Sequence, residues 1–475
     1  MVLYLPVVGR STTAPQTSSI AVLPLSTGES QDLAFLAEGI TDNVIGRLSR
    51  VSRLKVIARD SVYRYAGRDL DPRKAGRELG VQTVVIGRIT ERNGALTLQA
   101  ELVDARDGSR LWGDQYVRPM ADVQFVQAEL AQQIVKQLQL RLSSSEQTRV
   151  AQTDGVNPEA YQLYLRGRYF WNKRTRRDFQ RSVAYFTQAV AKDPSFALAY
   201  SGLADSYALL TDYHAVPARD TYAAAKAASL RALAIDDELA EAHTSLAYIR
   251  QYYEWDWLGA EAEFRRALEI HPGYATAHQW YADLLSVMGR HREAIAEIRR
   301  ATEADPLSLI VNSAEANILY MARQYDGALE VCRRVIELDP NFPQVYEYLK
   351  RSYDQKGQYG PSIQARQTRR RLLGLNADLT PALRDAASAS SSRLYWRKRL
   401  EQELREGQTE GLQPFEMAEI LGQAGDTRQA LDWLEKACRE DDFMITTIAV
   451  APNLDPLRSE PRFKAILTKR CRTGG

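Results

Sequence analysis

Helix-breaking residues recur along the middle of this 475-residue chain at nearly regular intervals. Each break separates two stretches with helical periodicity, as in IELDPNFPQVY at residues 336–346. A proline cannot extend the preceding helix, and it pushes the residue before it out of helical conformation. The sequence therefore predicts a series of helical hairpins rather than one globular core. The breaks lie at Pro194, Asp237, Pro272, Pro306 and Pro340, at intervals of 43, 35, 34 and 34 residues.

Small residues keep the same register as the breaks. Alanines stand 12 residues before three successive breaks, and a second set marks the first helix of each hairpin. A larger side chain at either position would force two helices apart, so both sets predict close helix contacts. Apolar side chains eight residues before the breaks are expected to fill the core between hairpins. In this order, the three sets are Ala260, Ala294 and Ala328; Ala204, Ala247, Ala282 and Ala316; and Phe186, Phe264, Ile298 and Cys332.

This period and register resemble the tetratricopeptide repeat, a helix–turn–helix unit of about 34 residues. We expect a repeat array over residues 146–375, a linker over 376–395, and a repeat-like unit with a cap over 396–475. The resemblance implies an all-α superhelical solenoid. Its concave surface, lined by the first helix of each hairpin, would bind a partner protein or an extended peptide.

Two rows of side chains are expected on this concave surface. They mix hydrogen-bonding groups with an aromatic ring, which favours peptide binding, although a merely solvated helix face is the alternative. The Lys/Asn/Arg run that clamps a C-terminal carboxylate in some chaperone-binding repeats is missing, so no peptide class is implied. The first row is Asp205, Tyr248, Asp283, Asn317 and Arg351; the second, four residues earlier in each helix, is Ser201, Thr244, Gln279, Ser313 and Glu347.

The first 145 residues follow a different, non-repetitive pattern. A short apolar run at residues 20–25 predicts a buried strand, and a stripe from Leu33 to Leu48 predicts an amphipathic helix. In DPRKAGRELG, Asp71 is expected to cap a helix that Gly80 ends. Asn93-Gly94 and Asp107-Gly108 predict tight turns between strands with alternating apolar residues. The order β-α-β-α-β-β-β-α indicates a mixed sheet with helices on one face.

The segments SIAVLPL, FLAEGITDNVIGRLSRVSRLKVIARDS, GRELGVQTVVIGRI and LVDARDGSRLWGDQYVR resemble the TolB-like amino-terminal domain. The resemblance covers roughly residues 19–142 and implies an α/β domain over 19–145. In related bacterial proteins this domain accompanies winged-helix activators, class III nucleotide cyclases or Ser/Thr kinases, often with tetratricopeptide repeats after it. The resemblance thus implies a sensor or docking module in signal transduction or transcription regulation.

Catalytic and ligand-binding motifs are missing from the sequence. There is no HRD or DFG, no Gly-rich phosphate loop and no HExxH, so neither an enzyme, a cofactor nor a metal is expected. The three cysteines are far apart, and Cys332 and Cys438 are expected as small core side chains. The formal charge of +2 argues against nucleic-acid binding. Residues 166–181 interleave seven basic residues with aromatics, but a solvated helix end explains them better than a nucleic-acid patch.

The apolar opening VLYLPVV at residues 2–8 leaves two interpretations open. Residues 1–18 are either a disordered tail or the remnant of a membrane segment. In the first case we expect a cytoplasmic, non-catalytic regulatory or scaffold protein. In the second, the chain is the sensory half of a membrane-anchored signalling protein whose output domain lies upstream, with these residues on the extracytoplasmic face of the inner membrane. Membrane association is expected only with such an upstream anchor.

Overall fold

The computed structural model describes residues 18–28, 30, 33–67, 71–151, 155–212, 218–388, 391–410, 413–440 and 442–468. The expected tail, apart from Ser18, lies outside these residues. The chain divides into two compact units. The first contains residues up to Ile57 and from Tyr65 to Gly155, and the second contains Ala58–Arg64 and the chain from Val156 onward. The division thus falls ten residues after the position expected from the sequence.

The first unit is the predicted α/β domain. Its sheet has five strands in the order β2-β1-β3-β4-β5; β1 pairs in parallel with β2 and β3, and the remaining pairs are antiparallel. Among its helices, α1 packs on α4, and α4 contacts β5. In chain order, with the short α2 of the second unit included, the elements are β1 Ser18–Val22, α1 Ala34–Leu48, β2 Leu54–Val56, α2 Arg59–Tyr63, α3 Pro72–Leu79, β3 Thr83–Arg92, β4 Ala95–Asp104, β5 Arg110–Pro119, α4 Val123–Gln137 and α5 Ser144–Ala151.

Local sequence signals account for the turns and caps of this unit. Asp71 accepts a hydrogen bond from the Arg73 backbone N–H, and Gly80 ends α3 in the left-handed conformation at φ 65°. Asn93 and Gly94, at φ 54° and 76°, join β3 to β4 in a two-residue loop. Both residues need positive φ, which Asn and Gly tolerate best. The predicted inward side of β4 is buried throughout, at Leu96, Leu98, Ala100 and Leu102.

The second unit is a succession of helical hairpins. Its first helices are α6, α8, α10, α12, α14, α16 and α20, and most of their partners follow directly in the chain. The helices are α6 Pro158–Trp171, α7 Arg176–Lys192, α8 Ala197–Asp212, α9 Ala218–Ile235, α10 Ala240–Ile249, α11 Trp257–Ile270, α12 Ala275–Val287, α13 His291–Ala304, α14 Leu309–Met321, α15 Tyr325–Leu338, α16 Pro343–Gln355, α17 Tyr359–Leu372, α18 Pro381–Ser388, α19 Ser392–Glu410, α20 Pro414–Ala424, α21 Thr427–Arg439 and α22 Pro461–Thr468. A π-turn at Arg250–Glu254 extends α10, and 3-10 turns lie at Met120–Asp122, Phe443–Thr447 and Pro452–Leu457.

The small and apolar positions predicted from the period form the core of this unit. The seven alanines of the two predicted sets are completely buried, and so are Phe186, Phe264, Ile298 and Cys332. Because alanine has a short side chain, the paired helices approach closely at these points. The predicted solenoid register is therefore confirmed.

A recurring hydrogen bond explains how the helix breaks are held. In four successive hairpins, the side chain six residues after the break donates to the carbonyl oxygen of the break residue. The donors and distances are His243 Nε2 to Asp237 (3.0 Å), His278 Nε2 to Pro272 (2.9 Å), Asn312 Nδ2 to Pro306 (3.0 Å) and Tyr346 OH to Pro340 (2.8 Å). A carbonyl only accepts, so Nε2 of each histidine is the donor here, while Nδ1 of His243 and of His278 faces the carboxylate of Glu263 and of Glu297, at 2.5 and 2.6 Å. The two histidines are thus structural.

The segment expected as a linker is packed. Within residues 376–395 lie α18 and the start of α19, and Leu383 and Tyr395 are fully buried. Tyr395 stacks on Tyr359 at 3.9 Å and donates to Asp354 at 3.0 Å. These contacts make the segment part of the helical unit.

Residues 58–64 belong to the second unit although the chain places them inside the first. Ser61 donates from its backbone N–H and its hydroxyl to Asp305 Oδ1, at 2.8 and 2.5 Å. Arg64 donates to the carbonyl of Leu338 at 2.7 Å. Sequence periodicity carries no signal for this pairing, because it joins residues more than 240 positions apart.

Two observations concern the cysteines and membrane segments. Cys332 is free and buried as expected, and Cys438 packs against a core cluster as expected but is disulfide-bonded, which was not predicted. Among the described residues, none of the helices has the length and apolar character that a bilayer crossing requires.

Candidate partner-binding surface

The first helices of successive hairpins lie side by side. Contacts join α8 to α10, α10 to α12, α12 to α14 and α14 to α16. We refer to the face that carries the two predicted rows on these helices as the concave surface. Each helix contributes one residue of each row, so the period places all ten residues on equivalent turns.

Asp205 anchors the amino-terminal part of the concave surface. Its carboxylate accepts from Arg168 Nη1 of α6 at 3.3 Å and from Ser245 Oγ of α10 at 2.5 Å. Burial raises its pKa, although Arg168 and Ser245 act in the opposite direction. Thr244 donates within its own helix to the Ala240 carbonyl at 2.8 Å. Asp205 therefore ties three first helices together.

Asp283 and Tyr248 are linked through Tyr252 in the middle of the concave surface. Asp283 Oδ2 accepts from Gln251 Nε2 at 3.2 Å and from the Tyr252 hydroxyl in a short hydrogen bond. The Tyr248 ring lies 4.6 Å from the Tyr252 ring and 4.6 Å from that of Trp280, centroid to centroid. Asp283 thus bonds to one tyrosine of a three-ring cluster.

Gln279 and Asn317 are half-buried residues of the two rows. Neither side chain hydrogen-bonds to another residue of the described chain. No side-chain hydrogen bond within the described chain therefore holds either amide.

Glu347 and Arg351 sit in an internal ion network. Arg351 Nε contacts Glu347 Oε1 at 2.8 Å, its Nη2 lies 3.3 Å from Glu419 of α20, and Lys350 Nζ contacts Glu347 at 2.8 Å. Burial alone would raise the pKa of Glu347, but Lys350, Arg369 and Arg351 hold it well below its usual value. For Glu419 burial prevails, and its pKa is raised despite Arg351. These two row positions therefore have partners within the chain.

The carboxyl-terminal segment packs on the ends of the central first helices. Arg323, just after α14, makes a two-point ion pair with Asp455, at 2.6 and 3.1 Å. Val450 is buried with Ala316 and Leu319, and Trp255 packs on the core that contains Leu454. The carboxyl-terminal segment thus packs along one edge of the array.

A third row, three residues after the first, follows the same helix face but is buried, and it was not predicted. It contains Gln251, Ser286, Tyr320 and Asp354; the repeat period could have identified it, since it shares the 34–35-residue spacing. Across the three rows, five buried polar atoms make no hydrogen bond to any described residue. They are Ser201 Oγ, Gln251 Oε1, Ser286 Oγ, Ser313 Oγ and Tyr320 OH.

The basic and aromatic residues of 166–181 contact one another. Arg174 and Arg168 lie over the Trp171 ring, at 3.7 and 4.3 Å from its centroid. Arg181 lies 3.7 Å from the centroid of Phe170. These rings pack on cations of their own hairpin. No cluster of potential metal ligands occurs among the residues that the structure describes.

The fold and this surface define a tetratricopeptide-repeat array that follows an α/β domain. Residues 255–318 match the tetratricopeptide repeat family model. Such arrays commonly bind proteins or peptides in their groove and typically lack catalytic activity.

Three known proteins are similar to parts of the chain. A Rhizobium meliloti (strain 1021) protein, named as a candidate adenylate cyclase 3, is 34% identical over 201 residues, which is 42% of this chain and 34% of that protein's own length. YrrB, described as a TPR protein with an unusual peptide-binding site, is 21% identical over 40% of this chain and 89% of its own, with a TM-score of 0.28. TolB from Acinetobacter baumannii is 16% identical over 26% of this chain and 28% of its own, with a TM-score of 0.21.

Proposed function

We propose that the protein is a non-catalytic regulatory scaffold that binds an extended segment of a partner protein on the concave surface of its repeats. The α/β domain would act as a sensor or docking module. The observation that supports the binding role most directly is the set of buried polar atoms left without partners along the three rows. Buried polar groups in proteins are nearly always hydrogen-bonded, so a line of such groups on one face suits a polar ligand.

The central part of the surface is the better-suited half. Gln279 and Asn317 make no side-chain hydrogen bond to the described chain, whereas Arg351 and Glu347 are held in ion pairs. A peptide backbone presents alternating donors and acceptors, which amide side chains can satisfy. The partner would therefore lie along α10, α12 and α14.

A double variant, Gln279→Ala with Asn317→Ala, tests this proposal. Proteins that bind the full-length chain in a cell lysate would be identified by crosslinking and mass spectrometry, and their affinities measured with purified components. We expect the double variant to bind its partner at least about tenfold more weakly, since two hydrogen bonds of about 1 kcal/mol each are lost. Glu330→Ala, an exposed position on the second helix α15, is the matched control and should bind normally. Equal partner affinity of the double variant and the control would contradict the proposal.

A second candidate is that these domains are the sensory part of a larger signalling protein with an adenylate cyclase or another output domain. It is supported by the Rhizobium meliloti relative, of whose length the match spans 34%. The genomic DNA that precedes the Met1 codon tests this candidate. An in-frame spanning helix and an output domain would support it, whereas a promoter and a ribosome-binding site directly before the codon would exclude it.

A further inference from the structure

Asp283 differs in its surroundings from Asp205 and Glu347, the other carboxylates of the two predicted rows. Asp205 has Arg168 at 3.3 Å, and Glu347 has Lys350 and Arg351 at 2.8 Å. For Asp283, no Lys, Arg or His nitrogen of the described chain lies within 4.0 Å. Burial raises its pKa, and the contacts that counteract burial are the neutral donors Tyr252 and Gln251. The negative charge at this point is therefore not balanced by an ion pair within the described chain.

Gln251 adds an acceptor next to this carboxylate. Its side chain is fully buried, and its Nε2 donates to Asp283 Oδ2 at 3.2 Å. A carboxylate only accepts, so the amide nitrogen must face it, and this fixes the orientation of the amide group. Gln251 Oε1 is consequently left as a buried acceptor without a donor from the described residues. A carboxylate and an amide oxygen together require a ligand that donates.

A cluster of aromatic rings is joined to the same carboxylate through Tyr252. The Tyr248 ring has the rings of Tyr252 and Trp280 each at 4.6 Å, and the Tyr252 hydroxyl reaches Asp283. The negative faces of Trp and Tyr rings attract cations, and more strongly when water is excluded. The rings therefore favour a positively charged ligand, as the carboxylate does.

We propose that Asp283, Gln251 and the rings of Tyr248, Tyr252 and Trp280 form a pocket for an arginine side chain of the bound partner segment. This inference rests on the proposed function and specifies the chemistry of its ligand. A guanidinium is planar and carries five N–H donors, so it can donate to Asp283 and Gln251 at once while its face stacks on an aromatic ring. A lysine ammonium offers the charge but not the planar stacking.

The test uses the full-length chain and four pools of dye-labelled decapeptides. The pools are random except for one central residue: arginine, lysine, citrulline or norleucine. Fluorescence anisotropy gives the affinity of each pool for the wild type, for Asp283→Asn and for Asp326→Asn. The Asp283→Asn substitution keeps the shape of the side chain and one acceptor, whereas Asp326 is an exposed carboxylate on α15 that pairs with Lys356 at 2.6 Å.

We expect the arginine pool to bind the wild type about tenfold more tightly than the citrulline pool, because hydrogen bonds from a charged donor to a carboxylate are stronger than those from a neutral donor. Asp283→Asn should reduce this preference to within about twofold and leave citrulline binding unchanged, while Asp326→Asn keeps the preference. Equal binding of all four pools to the wild type would overturn the pocket but not the proposed function. A preference that persists in Asp283→Asn would also overturn it, and a complete lack of binding by every pool would count against both proposals.

Discussion

Phe186 offers a quantitative test of how the first hairpins pack. A Cβ atom added at Gly202 of α8 would lie 2.5 Å from Phe186 Cζ, and one added at Gly167 of α6 would lie 2.5 Å from Phe186 Cε1. The ring is therefore held between two helix backbones and cannot move away from either. In Gly202→Ala, the overpacking should cost about 3 kcal/mol, and the better helix propensity of alanine should return about 1, for a net loss of about 2 kcal/mol in the free energy of unfolding.

Whether the free energy of unfolding falls or rises separates the cost of overpacking from the gain in helix propensity. Gly360→Ala in α17 is the control, since nothing lies within 4 Å of its added Cβ, and it should be neutral or stabilising by up to about 1 kcal/mol. Replacing Phe186 by Leu in the Gly202→Ala background should recover part of the loss. Urea denaturation followed by far-UV circular dichroism measures all three variants. Hydrogen exchange of the α6–α8 peptides then locates the change, because long repeat arrays do not always unfold in one step. A Gly202→Ala protein as stable as Gly360→Ala would refute this account of the packing.

Two other expectations concern charged residues. Burial, and secondly the nearby Asp60, raise the pKa of Asp305 to about 8. Because the unfolded chain releases this proton at about pH 4, the protonated carboxyl stabilises the fold fully below about pH 4, and this stabilisation is lost as the pH rises to 8. Asp305→Asn keeps an acceptor for Ser61, so its urea midpoint should exceed that of the wild type by more at about pH 9 than at about pH 6, and a constant difference would contradict the assignment. Arg351→Ala leaves Glu347 and Glu419 buried without this cation and should cost about 3–5 kcal/mol, whereas Lys356→Ala, from a pair with the 86% exposed Asp326, should cost less than about 1. Similar urea midpoints for these two variants would show that the ion network contributes little to stability.

Local sequence patterns predict much of the fold. The 34-residue period, the alanines in register and the break residues predict the helical hairpins, because each repeat is built mainly from contacts within itself and with its neighbours. The Asn93-Gly94 turn and the Asp71 and Gly80 caps are set by the φ preferences of single residues. Asp283 and Tyr248 were placed on one surface by the same arithmetic. The period does not predict that Asp283 contacts Gln251, which lies in the π-turn at Arg250–Glu254, or that Tyr248 contacts Trp280.

The contacts that only the tertiary structure decided join distant parts of the chain. The period assigns Arg351 to a row predicted to bind a partner. In the structure, Arg351 is instead paired with Glu419, 68 residues further on. Arg323 meets Asp455 across 132 residues, and Ser61 meets Asp305 across 244. The contacts of Arg351 and Arg323 depend on the rise and rotation accumulated over several hairpins, where small angular differences at each step add up. A repeat pattern describes one hairpin and its neighbours at a time. The sequence therefore determines the array and which side chains line it, whereas the folded structure decides which of those side chains already have partners within the chain.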